Sequence, residues 1–88
     1  MKSFIVSCDF RGRVEDESAA AGVLNRYNGI RVKPDTWYLL AEDSAEHIFC
    51  SLKEAAPDIY IFLAELTRGH MISQPWPVRS WFSKNIED

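Results

Sequence analysis

From Ser3 to Phe10 the chain alternates with a period of two. Phe4, Val6, Cys8 and Phe10 fall on one face, and Ile5, Ser7 and Asp9 on the other. That is the periodicity of a β-strand, and apolar residues on both faces place it inside a sheet rather than at its edge. The period then changes. Val14-Glu15-Asp16-Glu17-Ser18 sets carboxylates where a helix amino end favours them, and Ala20, Val23, Leu24 and Tyr27 recur at helical spacing up to an Asn28-Gly29 stop. Ile30-Arg31-Val32-Lys33 returns to alternation, and Pro34-Asp35 turns it into Thr36-Trp37-Tyr38-Leu39-Leu40-Ala41, a predicted hairpin. Asp43, three residues before Glu46, is the cap candidate for a second helix. Its stripe is Ile48, Phe49, Leu52, Ala55 and Ala56, and Pro57 ends it. Asp58 to Leu66 is β-branched, aromatic and short, which predicts a fourth strand, apolar on both faces. From Pro75 to Ile86, Val78, Trp81 and Phe82 suit a short amphipathic helix.

Strand, helix, strand, strand, helix, strand is the α+β, ferredoxin-like βαββαβ order. It implies a four-stranded antiparallel sheet with two helices on one face, here followed by a short C-terminal helix. The 88 residues form one expected domain, 1–88, with 75–88 as a helical tail. Two helices cover only one sheet face. Tyr38, Leu40, Tyr60 and Phe62, or their neighbours of opposite parity, leave an apolar face whose natural cover is a second copy, so a homodimer is expected.

Composition narrows the partners. Hydrophobic residues make up 47% of the chain, which excludes a disordered linker. A net charge of −3 disfavours nucleic acid as a partner, although Arg11, Arg13, Arg26, Arg31 and Lys33 gather in the first third of the chain. No apolar run approaches the roughly 18 residues that a membrane span needs, so a cytoplasmic protein with no membrane partner is expected. Cys8 and Cys50 lack any metal-binding or redox spacing and are expected to be buried free thiols.

Asp9 is the first candidate for chemistry. A carboxylate at the carboxyl end of a strand is held rigidly while the loop beyond it stays open to metal, phosphate or a partner. The same aspartate could equally end the strand by accepting a hydrogen bond from the Arg11-Gly12 turn. Glu65 is a poor second ligand, because an antiparallel fourth strand carries it to the start of the first strand, away from Asp9. Neither His47 nor His70 belongs to a zinc-type spacing. Trp76, Trp81 and Phe82 form an aromatic group near the end of the chain, either packing on the sheet or across a dimer, or anchoring a protein partner through Trp76 and Trp81.

In these residues the chain resembles the small ferredoxin-like proteins of CRISPR adaptation and their VapD and SinR-like relatives. The first strand of that group ends in an aspartate, matched here by Ile5-Val6-Ser7-Cys8-Asp9-Phe10. The SinR-like members are most similar, through Asp35-Thr36-Trp37-Tyr38-Leu39, Asp43-Ser44-Ala45-Glu46, Ala64-Glu65-Leu66-Thr67 and Trp81-Phe82. The resemblance implies a homodimer in which two copies of Asp9 hold a divalent metal, chiefly Mg2+, for phosphodiester cleavage of RNA or DNA, with Arg11 and Arg13 as phosphate contacts. Cys8 stands where the group has tyrosine, and Glu15-Asp16-Glu17 opens a helix that is basic in nucleic-acid-binding members. Those departures favour a dimeric interaction or scaffold protein, with the Mg2+-dependent endonuclease as the alternative. A small-molecule sensor or enzyme is a third class, for which no residue names a ligand.

Overall fold

The computed structural model describes residues 2–66. Its elements are β1 (Lys2–Asp9), α1 (Val14–Leu24), β2 (Asn28–Lys33), β3 (Thr36–Ala41), α2 (Ala45–Ala55) and β4 (Tyr60–Leu66). The strands form one sheet in the order β2-β3-β1-β4, antiparallel at every pairing. This is the expected α+β, ferredoxin-like arrangement. The expected tail helix over 75–88, with Trp76 and Trp81, lies outside the described residues.

One parity of β1 makes the core. Phe4, Val6 and Cys8 pack with Trp37, Leu39 and Ala41 of β3, Ala20, Val23 and Leu24 of α1, and Ile48 and Leu52 of α2. Both helices therefore lie on this face. Phe4, Leu24, Leu39, Ile48 and Leu52 are fully buried, each contributing roughly 1.5–3 kcal/mol of transfer free energy. The Phe10 ring meets Trp37 edge to face, with centroids 6.2 Å apart.

The helix ends differ from expectation in instructive ways. α1 stops at Leu24, not Tyr27. The Arg26 and Tyr27 amides bond to the carbonyls of Val23 and Leu24, a tightened last turn. Tyr27 then leaves the helical path, and its hydroxyl donates to Asp43 at 2.8 Å. Burial and that bond both raise its phenol above the ordinary value. Asn28 and Gly29, expected as a stop, are the first residues of β2, opposite Leu40 and Leu39. At α2 the cap is Ser44, whose hydroxyl accepts the His47 amide at 3.1 Å. Asp43 is thereby free to accept from Tyr27 and to lie 3.5 Å from the His47 imidazole. Ile48 and Leu52 of α2 and Ala56 at its C-cap face inward, whereas Phe49 and Ala55 are exposed. Cys8 is a buried free thiol as expected. Cys50 is also free but exposed, because it lies off the buried stripe of α2.

Pro34-Asp35 makes the expected two-residue hairpin turn, with Lys33 paired to Thr36 and a bulge between Arg31 and Lys33. Arg31 braces this corner. Its guanidinium lies 4.5 Å over the Trp37 ring, 3.4 Å from Glu17, and donates to the Pro34 carbonyl. Among the described residues no helix is long and apolar enough to cross a membrane.

Candidate functional site

The other parity of β1 faces away from the helices, and strand pairing turns it into ordered rows. Asn28, Leu40, Ser3 and Leu66 make the first row; Ile30, Tyr38, Ile5 and Ala64 the second. Beyond them come Lys33, Thr36, Ser7 and Phe62, then Asp9 beside Tyr60. The open face is thus graded. Where β1 begins it is aliphatic, with Tyr38 packed among Ile5, Ile30, Val32 and Leu66. Where β1 ends it carries hydroxyls, charges and two bare aromatic rings: Tyr60 and Phe62 are each 63% exposed.

A cleft of about 970 Å³ opens at that second end, between the β1–α1 loop, the β2–β3 turn and the start of β4. Asp9 lies on its wall, exposed, where the sequence places it. One carboxylate oxygen, Oδ1, accepts the Arg11 amide at 2.9 Å, so the turn-closing role is met. Oδ2 makes no hydrogen bond among the described residues. Arg11 and Gly12 both have positive φ, 56° and 74°, and the Arg13 amide bonds to the Phe10 carbonyl at 3.0 Å, a primed β-turn. Glycine adopts that backbone readily; arginine does so at a cost, offset in part by the Asp9 bond.

The two expected phosphate contacts part company. The Arg11 guanidinium sits 5.4 Å over the Tyr60 ring, inside the cleft. Arg13 also lines the cleft, but its guanidinium is 3.0 Å from Asp58 and 3.6 Å from Asp16. The hydrogen bond that Arg13 donates to Asp58, then the Asp58 charge, hold Arg13 more firmly cationic than usual. Arg11 is therefore the more available of the pair. Glu65 pairs with Phe4, five residues along β1 from Asp9 and so about 17 Å away. Among the described residues no group of three or more His, Cys, Asp or Glu side chains could hold a metal ion. His47 and Asp43 follow β3, whose last residue pairs with Lys2, and so lie at the opposite end of the sheet.

Cys8 points into the core behind this wall. Burial first, and the nearby Asp35 carboxylate second, push its thiol up to about 11, so it is an inert packing group and no nucleophile. Its amide bonds to the Asp35 carbonyl at 2.8 Å, which ties the hairpin turn to the end of β1. Asp35 Oδ1 in turn accepts from the Thr36 hydroxyl.

No protein-family model matches the chain, and no curated protein matches its sequence. Three of the large apolar side chains left most exposed, Val14, Tyr60 and Phe62, line this one cleft. Local sequence pattern singles out Asp9 and Arg11, whereas Lys33, Tyr60 and Phe62 join them in this cleft only through the fold. The alternation of Tyr60 with Phe62 was the available signal. Which parity meets solvent was set by the pairing of Asp9 with Tyr60 and Ser7 with Phe62.

Proposed function

We propose that the protein is a dimeric interaction module, of the kind its SinR-like and CRISPR-adaptation resemblance implies, assembled through the aliphatic half of the open sheet face. The observation that carries this reading is the set Ile30, Ile5 and Ala64, flanked by Leu40 and Leu66, half-buried on the sheet face opposite α1 and α2. A two-fold axis through such a row sets like against like, which apolar side chains accept and charges do not. The edges support an assembled state as well. β2 ends in Arg31, Val32 and Lys33 with a bulge, a guarded edge, whereas β4 runs Tyr-Ile-Phe-Leu-Ala-Glu-Leu with one charge. Small domains bury only about 60% of their unfolded surface, so a second copy adds core that one chain lacks.

Light scattering on the purified protein at high micromolar concentration should return twice the 10.1 kDa chain mass. Ile5→Glu, at the centre of the row, should return the monomer with the helical circular dichroism retained. A wild type that runs as a 10.1 kDa species throughout would sink the reading.

A second reading, a Mg2+-dependent endonuclease with Asp9 as ligand, rests on the free Oδ2 of Asp9 at the open-face end of β1. One carboxylate per chain is too few for Mg2+, so this reading needs a two-fold axis at the Asp9 end, opposite to the aliphatic rows. Metal-dependent cleavage of labelled RNA or DNA that vanishes in Asp9→Ala would establish it; equal activity in both proteins would remove it.

A further inference from the structure

The row Lys33, Thr36, Ser7 and Phe62 is not used by the aliphatic dimer face and is not built like a packing surface. Phe62 presents a ring to solvent from the edge strand, two residues from the equally exposed Tyr60. The Lys33 ammonium, at the other side of the sheet, makes no hydrogen bond or ion pair among the described residues, and neither does the Ser7 hydroxyl between them. The three lie along one cleft. Nearby carboxylates are partly answered: Glu17 by Arg31, Asp35 by the Thr36 hydroxyl, and one oxygen of Asp9 by the Arg11 amide.

We propose that this half of the open face binds a short single-stranded oligonucleotide, with a base stacked on Phe62 and a backbone phosphate at Lys33. An exposed ring gives a stacking platform for any base, and a free ammonium supplies the phosphate contact. The geometry selects a strand over a free nucleotide. β2 and β4 are three strand spacings apart, about 14 Å, which is wider than one nucleotide and is crossed by a short strand running perpendicular to the β-strands. A duplex is excluded by the same feature, since its bases are stacked on each other and cannot lie on Phe62. The net charge of −3 sets the strength: with one fully free cation in the row, binding is modest and confined to low salt.

Fluorescence anisotropy with labelled eight-residue oligo(dT) and oligo(U) tests the assignment. At 50 mM salt the wild type should bind with a Kd of roughly 10–100 µM. Phe62→Ala should weaken binding about 5- to 100-fold, Phe62→Leu should do the same while keeping the apolar bulk, and Phe62→Trp should restore it. Lys33→Gln should flatten the slope of log K against log salt by about 0.7. Phe49→Ala, an exposed ring on α2, should change nothing. No binding up to about 1 mM would overturn the proposal, as would Phe62→Leu binding like wild type. Thymidine monophosphate or a duplex of equal length binding as tightly as the single strand would overturn it too.

Discussion

Gly29→Ala and Gly22→Ala are the same chemical change, and the structure assigns them opposite signs. Gly29 is solvent-exposed in β2, where replacing glycine ordinarily gains roughly 0.5–1 kcal/mol by restricting the unfolded chain. Its neighbour across the hairpin removes that gain. A Cβ built on Gly29 falls 2.5 Å from the Tyr38 carbonyl oxygen, 2.7 Å from Leu39 Cδ2 and 3.3 Å from Leu39 Cα. Two of the three atoms are backbone, so β2 must move away from β3 by at least half an ångström, at the strand that carries the buried Leu39. Forcing extra volume into packed structure costs typically 1–3 kcal/mol, which exceeds the entropic gain. Gly22 lies in α1 with nothing within 4 Å of its Cβ, so alanine there should stabilise by about 0.8–1 kcal/mol through helix propensity. Urea unfolding followed by tryptophan fluorescence should show the midpoint falling for Gly29→Ala and rising for Gly22→Ala, with m unchanged. The net loss of about 1–2 kcal/mol should lower the thermal midpoint of Gly29→Ala by about 4–16 °C in a domain of this size. A Gly29→Ala protein as stable as wild type would refute the close approach of the two strands.

The two thiols should separate by reactivity: at pH 8 in native buffer a disulfide reagent should modify Cys50 quickly and Cys8 only after unfolding. Because the Cys8 thiol rises from the ordinary 9.0 to about 11 on folding, its burial contributes stability that is full below pH 9 and is lost as pH climbs through 11. Cys8→Ala should remove that alkaline loss in pH-dependent melts. Ser44→Ala deletes the side chain that caps α2 and should cost about 1 kcal/mol, whereas Asp43→Ala should leave the cap in place and chiefly release Tyr27.

Much of the fold could be read from one dimension because period is a local property. The alternation of Phe4, Val6 and Cys8 and the spacing of Ile48 with Leu52 report which face is buried whatever the partner is, and element order then restricts topology to a handful of choices. Helix ends were less legible. Ser44 and Asp43 are both good caps, and the choice between them turned on Tyr27, sixteen residues away, claiming Asp43. Likewise Asn28-Gly29 suits a stop and a strand start equally, until Leu39 is laid beside it.

At the site, local pattern is enough to end a strand at Asp9 and to require a turn at Arg11-Gly12. Long-range contacts draw Arg13 to Asp58, carry Glu65 to the far end of β1, and bring Lys33, Ser7 and Phe62 into one row. The reason is physical. Periodicity fixes the direction of a side chain relative to its own strand, but register between strands is set by long-range pairing, and only register brings residues from positions 7, 33 and 62 to one cleft.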